Sequence, residues 1–302
     1  MTWNPWNWNR RQWMRAGFAS GLSGLALGLY TWQIEPHWLE WVERDLPIRG
    51  LPDDAVGRTM IQLSDLHIGT VSESYLLNCL ALTAEHSPDW VVLTGDMMSC
   101  QGDEMLESVS RLLDRIPRGK RGTVAVLGNH DYGHFWMQIH VADALVERME
   151  KAGISVLRNS RATIGGLDLI GLDDLWQPNF EAAEVANLFR KGLPHLVLSH
   201  NPDGADLPVF GRYDGWILSG HTHGGQCKPP FLRPPIVPTK NPRYVAGEYE
   251  LTHGRKLYIN RGIGYTHQLR CNSRPEITAF RLTRAEMDSP AKPRHLFANR
   301  SA

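Results

Sequence analysis

Residues 122–131 read GTVAVLGNHD, an apolar run that ends in a glycine followed by three polar side chains. The run is short and rich in valine, which is typical of a strand buried on both faces. Asn129, His130 and Asp131 follow at the carboxyl end of that strand. In open α/β sheets, functional sites form beyond the carboxyl ends of the strands. The stretch therefore predicts a buried strand with a functional loop after it.

Four further apolar runs end in side chains of the same kinds. They lie within residues 59–67, 89–97, 194–203 and 213–223, and the polar residues at their ends are Asp65 and His67, Asp96, His200, and His221 and His223. Five strands that present such residues at one edge predict a single site, because the carboxyl ends of parallel strands meet there.

The order of the predicted elements indicates the fold class. Apolar residues recur at helical spacing after the first three strands, in residues 74–86, 103–116 and 137–153. This β-α rhythm favours an α/β fold in which helices cover a sheet. Later strands follow one another with a single helix-like stretch, residues 181–190, between them. We predict two packed mixed β-sheets flanked by helices, an α/β/β/α sandwich.

His221 and His223 stand two positions apart in the stretch SGHTHGG. In extended backbone, residues i and i+2 point the same way, so both imidazoles face one place. Taken alone, the pair is interpreted either as metal ligands, since neutral imidazole is the commonest metal ligand, or as two histidines on an ordinary surface turn. Residues 226–243 follow directly and contain six prolines. This segment, the proline-rich loop, is expected to border the site.

The balance of charge argues against a nucleic-acid partner. In 302 residues, Lys and Arg number 32 and Asp and Glu number 32, so the formal net charge is zero. Without a basic field to attract a polyanion, a nuclease is disfavoured. The four cysteines contain no CxxC pair, which argues against a zinc ribbon. Cys227 and Cys271 are able to pair if the compartment is oxidising.

The N-terminus has the layout of a targeting segment. Arg10, Arg11 and Arg15 precede residues 16–34, which carry no charge and are weakly apolar. The paired arginines followed by Trp13 resemble a twin-arginine export signal. Two alternatives stay open: a retained anchor, because about 19 apolar residues just span a bilayer, and a buried helix of the main domain.

These features divide the chain into three parts. Residues 1–40 form the targeting or membrane-anchor segment, residues 57–285 the main domain, and residues 286–302 a polar, proline-bearing tail that we expect to be disordered. In both exported alternatives the basic end stays in the cytoplasm. We therefore expect the protein at the cell inner membrane, attached through its N-terminal segment, with the main domain on the periplasmic or extracytoplasmic side.

The polar residues at the strand ends form motifs in a fixed order. Within about residues 59–283, the motifs occur in the order D-x-H, G-D, G-N-H-D, a lone histidine and G-H-x-H. This set resembles the calcineurin-like metallophosphoesterase superfamily. The stretches GHTHGGQCKPP and LRCNSRPEIT are similar to those of bacterial phosphodiesterases that carry a twin-arginine-like or anchor segment. Relatives of that group include UDP-2,3-diacylglucosamine pyrophosphatases of lipid A synthesis.

The resemblance implies two divalent metal ions, and the mixed Asp, His and Asn donors suit Mn, Fe or Zn. It assigns Asp96 to a bridging position between the ions. The implied ligands of the first ion are Asp65, His67 and His223, and those of the second are Asn129, His200 and His221.

The resemblance also implies the reaction. A metal-bound hydroxide attacks phosphorus in line, without a covalent intermediate, and His130 stabilises or protonates the leaving oxygen. Asp131 is interpreted either as the residue that orients His130 or as a carboxylate that caps the loop. The expected activity is a membrane-associated phosphodiesterase or pyrophosphatase on a small-molecule or lipid-linked phosphoester, for example UDP-2,3-diacylglucosamine. Phosphomonoesterase activity and a non-catalytic metal-binding scaffold are the alternatives.

Further residues are candidates for the wall of the pocket or for phosphate recognition. The stretch GLDDLW, which ends another predicted strand, either lines the pocket or forms a turn with a packed tryptophan. Arginine binds phosphate in a bidentate fork, although any one arginine is more often a surface charge. The residues concerned are Asp173, Asp174 and Trp176, and Arg243, Arg261 and Arg270.

Overall fold

Two six-stranded β-sheets pack face to face in the computed structural model, which describes residues 9–99, 101–178, 180–189 and 194–285. The first sheet consists, in spatial order, of β1 (Glu40–Ile48), β12 (Glu276–Arg284), β2 (Thr59–Leu63), β3 (Trp90–Thr94), β4 (Gly122–Val126) and β5 (Ser155–Val156). The second consists of β10 (Gly247–Glu250), β11 (Lys256–Ile259), β9 (Trp216–Ser219), β8 (Leu196–Leu198), β7 (Leu167–Gly171) and β6 (Ser160–Ile164). Both sheets are mixed, because β12 runs antiparallel to β2 and β10 to β11.

Helices cover the outer faces of both sheets. The outer face of the first sheet packs against α2 (Glu73–Glu85), α3 (Glu104–Leu113) and α4 (Ile139–Lys151), and that of the second against α5 (Ala182–Phe189). The helices predicted in residues 74–86, 103–116 and 137–153 are confirmed. That predicted in residues 181–190 is confirmed up to Phe189, since residue 190 lies outside the described residues. The predicted α/β/β/α architecture is therefore confirmed.

Alternating side chains explain why the central strands are apolar throughout. In β3, Val91 and Leu93 pack against the helices, whereas Trp90 and Val92 pack between the two sheets. All four are fully buried. Burial of side chains of this size stabilises a fold by about 1.5–3 kcal/mol each. The strands therefore form a rigid base for the loops at their carboxyl ends.

The N-terminal helix stands apart from this core. The helix α1 (Arg10–Leu29) begins at a capping box formed by Asn9 and Gln12, and none of its residues is buried. Phe18, Leu22 and Leu25 are among its exposed apolar side chains. The alternative of a buried helix is therefore wrong.

The described helices were also compared with the dimensions of a bilayer. None of them combines the length and the apolar character needed to span a membrane.

The segment after α1 belongs to the main domain. The carbonyl oxygen of Thr31 accepts a hydrogen bond from the Arg270 backbone N–H at 2.9 Å, and buried Glu35 accepts one from the Ser273 backbone N–H at 2.6 Å. β1 then pairs in parallel with β12. The first sheet thus begins at Glu40, before residue 57, where the sequence placed the start of the domain. The predicted disordered tail, residues 286–302, lies outside the described residues.

Candidate metal centre

Five loops bring the predicted site residues to one edge of the two sheets. The loops follow β2, β3 and β4 of the first sheet, which are parallel neighbours, and β8 and β9 of the second, which are also parallel neighbours. The residues on these loops are Asp65 and His67, Asp96, Asn129 and His130, His200, and His221 and His223. All are buried except His130, which is partly exposed.

The backbone of these loops is strained at the predicted ligands. A non-glycine residue with positive φ is uncommon and costs energy, and such residues concentrate at functional sites. Five of the predicted ligands have left-handed φ values: Asp65 (52°), His67 (47°), Asp96 (54°), His221 (73°) and His223 (50°). The fold therefore holds these side chains in directions that relaxed backbone would not give.

Asp65, His67 and His223 form the first cluster. The Nε2 atoms of the two histidines are 3.1 Å apart, and His223 Nε2 lies 3.4 Å from Asp65 Oδ1. One potential ligand atom of each residue lies within 4.8 Å of the others. The backbone N–H of His221 donates to both Asp65 carboxylate oxygens at 3.1 Å, which fixes the orientation of that carboxylate.

Asp96, His200 and His221 form the second cluster. His200 Nε2 is 3.1 Å from His221 Nδ1 and 3.3 Å from Asp96 Oδ2. The same Asp96 oxygen lies 3.6 Å from His67 Nε2 of the first cluster. Its other oxygen accepts a hydrogen bond from the His130 backbone N–H at 2.9 Å. Asp96 therefore presents one carboxylate oxygen to both clusters.

Hydrogen bonds to backbone carbonyls determine which imidazole nitrogens face the second cluster. His200 Nδ1–H donates to the Thr94 carbonyl at 2.7 Å, and His221 Nε2–H donates to the Pro238 carbonyl at 2.7 Å. These bonds direct His200 Nε2 and His221 Nδ1 toward each other. Two imidazole nitrogens 3.1 Å apart need either a proton or a metal cation between them, because their lone pairs would otherwise repel.

An amide oxygen without a hydrogen-bond partner is a further observation that bears on metal binding. Asn129 Oδ1 is buried and has no hydrogen-bond partner among the described residues. Buried polar atoms are almost always paired, and one without a partner calls for an explanation such as an ion. Carboxylate, imidazole and amide donors together suit Mn, Fe or Zn. The residues present therefore fit divalent metals.

Burial and neighbouring charges set the protonation of the clusters. Loss of hydration disfavours the charged ring and lowers the pKa of His67 and of His221 to about 3, so both are in the neutral form that binds metal. Burial acts in the same direction on His200, but the Asp96 carboxylate outweighs it and raises the pKa to about 10. Burial would raise the pKa of Asp96, yet His200 and His130 hold it well below its usual value. Asp96 is therefore ionised.

His130 and Asp131 occupy different environments. His130 lines the site cavity, an opening of about 450 Å³ above the clusters, together with Asp96 and Asn129. Its Nδ1 has no partner among the described groups. Asp131 instead accepts hydrogen bonds from the Gly128 and Met98 backbone N–H groups, at 2.9 and 3.1 Å. These bonds cap the loop, which is the second of the two interpretations of Asp131, and no hydrogen bond joins the Asp131 and His130 side chains among the described residues.

An apolar wall faces the metal-ligand clusters across the site cavity. The wall consists of Trp136, Trp176, Pro235, Ile236 and Pro238. The two tryptophan rings are 5.0 Å apart, and the Trp176 ring meets His221 edge-on at 4.7 Å. Trp176, one of the residues suggested from the sequence, therefore lines the pocket.

Two of the three candidate arginines, Arg261 and Arg270, have structural partners. Arg270 is fully buried, and its guanidinium donates to the carbonyls of Arg261 and Gly262 at 2.9 and 3.2 Å. Arg261 pairs with Glu276 and Glu40. These contacts leave neither arginine directed at a phosphate, in contrast to the sequence-based suggestion.

The aspartates of the stretch GLDDLW also differ from each other. Asp173 accepts hydrogen bonds from Tyr132 and Arg158. Asp174 is buried with an unpartnered Oδ2 among the described groups, and burial raises its pKa to about 7.

Cys227 and Cys271 are free thiols on segments joined by a parallel bridge.

Sequence reasoning missed two groups that shape the site. Trp136 belongs to a short turn, His134–Trp136, that precedes α4. An aromatic residue so close to the GNHD stretch was the only signal for it. The Pro238 carbonyl, which orients His221, is a backbone group and leaves no trace in the residue pattern.

Gly128 provides the first testable prediction. A Cβ at this position would collide with Asp96 Oδ1 and would lie 2.6 Å from the Asp96 backbone nitrogen and 2.8 Å from His200 Cδ2. We expect Gly128→Ala to displace the shared carboxylate, to lower bound metal, and to reduce the free energy of unfolding by about 1–3 kcal/mol through overpacking. Elemental analysis and thermal unfolding measure the two effects. The control is Gly24→Ala, which has no neighbour within 4 Å; equal metal content in both variants would contradict the prediction.

An α/β/β/α sandwich with adjoining metal-ligand clusters at its strand ends defines a metallophosphoesterase. Residues 59–225 match the calcineurin-like phosphoesterase family, and the chain belongs to this family. It is a metal-dependent hydrolase of phosphoric esters, whose similar proteins include phosphodiesterases and pyrophosphatases.

Three relatives illustrate the range of this similarity. Phosphodiesterase YaeI of Escherichia coli (strain K12) is 33% identical over 287 residues, which cover 91% of this chain and 99% of that protein. A transmembrane protein with metallophosphoesterase domain from Danio rerio is 30% identical over 263 residues, 81% of this chain and 57% of that protein. UDP-2,3-diacylglucosamine pyrophosphatase LpxG of Chlamydia trachomatis serovar D is 26% identical over 277 residues, 74% of this chain and 83% of that protein.

Proposed function

We propose that the chain is a two-metal phosphodiesterase or pyrophosphatase. The observation that carries the proposal is the position of Asp96, whose Oδ2 lies 3.6 Å from His67 Nε2 and 3.3 Å from His200 Nε2. A carboxylate between two ligand sets favours two cations side by side, because its negative charge offsets their repulsion. Ion pairs about 3.5–4 Å apart serve many enzymes that cleave phosphate esters.

The ligand sets follow from the two clusters. Asp96 contributes to both cations, and the unpartnered Asn129 oxygen completes the second set. We assign Asp65, His67 and His223 to the first cation, and Asn129, His200 and His221 to the second. Manganese is our first choice among Mn, Fe and Zn, all of which suit these donors.

The chain's own residues complete the chemistry. Two divalent cations, when bound, supply an activated water and neutralise charge on the phosphoryl oxygens. His130 lines the site cavity and is partly exposed, so its imidazole is free to donate a proton to the leaving oxygen. Asp131 supports this step indirectly, since it holds the Gly128 end of the loop that carries His130.

The wall of the site cavity indicates the kind of substrate. Trp136, Trp176 and Ile236 face the clusters with apolar surface, which accommodates an apolar group attached to the phosphate. We therefore propose a lipid-linked or otherwise amphipathic phosphoester. UDP-2,3-diacylglucosamine is one candidate, supported by the similarity to the pyrophosphatase LpxG.

The N-terminal segment suggests where the enzyme acts. Arg10 and Arg11 open a helix in which no residue is buried. A helix without buried residues that begins at paired arginines supports a twin-arginine export signal. We propose that the protein is associated with the inner membrane through this segment, with its catalytic domain on the periplasmic side. On that side a lipid-linked phosphoester other than UDP-2,3-diacylglucosamine is favoured, because lipid A precursors are made on the cytoplasmic face.

Metal removal and reloading test this function. We expect the chelator-treated full-length chain to be inactive and to regain activity with Mn, Fe or Zn. Three substrates are assayed side by side: UDP-2,3-diacylglucosamine, the diester bis(p-nitrophenyl) phosphate and the monoester p-nitrophenyl phosphate. We expect UDP-2,3-diacylglucosamine and the diester to be hydrolysed faster than the monoester. The full-length chain is required because Thr31 and Glu35 pack against the domain.

Each other outcome selects a different function. Preference for the monoester would support a phosphomonoesterase. Two bound metals without hydrolysis of any substrate would support the metal-binding scaffold. Activity that resists the chelator would contradict the two-metal proposal altogether.

A further inference from the structure

The proline-rich loop concentrates positive charge beside the site cavity. It carries Lys228, Arg233, Lys240 and Arg243 and no acidic residue, in a chain whose formal net charge is zero. All four residues are exposed. Across the described ranges, none of the ion pairs involves any of them. Their charge is therefore available to an anionic partner.

The same loop exposes large apolar side chains. Phe231, Leu232 and Ile236 are 105%, 64% and 78% exposed. Side chains of this size are usually buried, and an exposed group of them marks an interaction surface. Phe231 also has a left-handed backbone (φ 64°), which is uncommon for a bulky residue. The loop therefore holds this ring in solvent at an energetic cost.

A second loop presents apolar side chains at the same opening. Trp136 lines the site cavity, and so does Ile236 of the proline-rich loop. The neighbours of Trp136, Phe135 and Met137, are 86% and 63% exposed. Apolar side chains thus stand on two loops, each of which contributes a wall of the site cavity.

A separate cavity of about 670 Å³ lies between the proline-rich loop and β10. Lys228, Arg233 and Arg243 line it together with Phe231 and Leu232, and its lining includes no carboxylate. Three cations around one opening favour an anionic group such as a phosphate. The apolar side chains next to them favour a ligand that is anionic and apolar at once.

We infer that the proline-rich loop and residues 134–137 form a docking surface for an anionic lipid bilayer. Basic side chains are attracted to anionic head groups, while apolar side chains enter the boundary between head groups and acyl chains. Along the loop, cations alternate with apolar residues. A protein interface more often has an apolar centre inside a polar rim, so the pattern favours a bilayer over an acidic protein.

Docking in this way has a consequence for substrate access. The opening of the site cavity would lie against the head-group layer, because Trp136 and Ile236 belong to both surfaces. A lipid-linked phosphoester would then reach the metal centre without leaving the bilayer. The docking surface rests on the loop residues alone, and only this consequence rests on the proposed function.

Vesicle binding by the full-length chain tests the inference. All proteins carry Leu22→Ser and Leu25→Ser, which weaken any contribution of α1 and touch no buried residue. We expect tighter binding to vesicles of phosphatidylcholine with phosphatidylglycerol than to phosphatidylcholine alone. Lys228→Glu with Arg233→Glu should weaken binding to the anionic vesicles by about 25-fold or more, since each basic residue near such a surface contributes about fivefold.

Two further variants complete the design. Phe231→Ser with Leu232→Ser should weaken binding to the anionic vesicles to a similar degree. The control, Arg115→Glu with Lys120→Glu, reverses two exposed cations that precede β4, at the end of the sheet opposite the site, and should change binding less than twofold. Thermal unfolding at the wild-type midpoint would verify that the loop variants are folded.

Three results would overturn the docking surface. These are equal binding to both kinds of vesicle, no binding to either, and loop variants that bind like the control. Vesicle binding is measured without substrate or added metal. A chain that binds vesicles as expected but fails to hydrolyse phosphoesters would therefore contradict the proposed function and leave the docking surface intact.

Discussion

Asp96→Asn is expected to lower bound metal and phosphodiesterase activity together. Asparagine keeps the shape of the side chain but removes the negative charge that lies 3.6 Å from His67 Nε2 and 3.3 Å from His200 Nε2. Without that charge, two adjacent cations repel each other with less compensation. Since metal ions contribute several kcal/mol to such reactions, we expect hydrolysis to fall by about 10³-fold or more. Elemental analysis and hydrolysis of bis(p-nitrophenyl) phosphate measure the two losses.

A buried carboxylate outside the clusters serves as the control. Asp173 is buried but accepts hydrogen bonds from Tyr132 and Arg158. Asp173→Asn should therefore retain both metals. If Asp96→Asn retained as much metal as Asp173→Asn, the bridging position of Asp96 would be ruled out.

His130→Ala is expected to retain both metals and to lose most of the rate. His130 lines the site cavity, and its ring meets the His67 ring edge-on at 4.8 Å. A positioned acid typically contributes about 10²–10⁴-fold to the rate, and we expect kcat to fall by that amount. The loss should be larger for a diester with an alkyl leaving group than for one with p-nitrophenol, because a poor leaving group depends more on proton donation.

His134 offers a matched control on the same loop. Its side chain is 50% exposed and lies 3.5 Å from Glu104, away from the clusters. His134→Ala should therefore have the wild-type rate. A His130→Ala variant with equal losses for both leaving groups would argue against proton donation, and one that had lost metal would identify His130 as a ligand, consistent with its position near His67 and Asp96.

The strands that carry the site could be predicted from the sequence. In β3, residues on both faces are buried, so the strand is a continuous apolar run that stands out from its surroundings. Chemically active residues such as Asp96 and His200 directly follow such runs. The sequence therefore indicated which residues share one edge before any contact was known.

The strand β1 could not be predicted in this way. It is an edge strand with a mixed pattern of burial, and it contains Glu43, Arg44 and Asp45 as well as Pro47. Edge strands tolerate charges and proline because one side pairs with no neighbour. Its sequence therefore lacks the apolar run that identified the other strands of the sheet.

The hydrogen-bond partners of individual polar side chains could not be predicted from the sequence either. From the sequence, Asp131 was interpreted either as the residue that orients His130 or as a carboxylate that caps the loop. Hydrogen bonds from the Gly128 and Met98 backbone N–H groups hold the carboxylate elsewhere. Arg270 was a candidate phosphate ligand, but its guanidinium bonds to carbonyls. Such choices depend on three-dimensional geometry, which residue spacing does not contain.

The pairing of β1 with β12 makes the N-terminal side of the first sheet depend on a strand that is far away in the sequence. Glu40 pairs with Glu276, so the strand that follows the N-terminal helix finds its partner only after β12 has been synthesised. Contacts between such distant residues slow folding. Until β12 is present, both β1 and β2 keep an open edge that other chains can pair with. A truncated or nascent chain that lacks β12 therefore presents these open edges to cellular quality control. Pairing of β1 with β12 closes the sheet and, at the same step, attaches α1 to the folded domain.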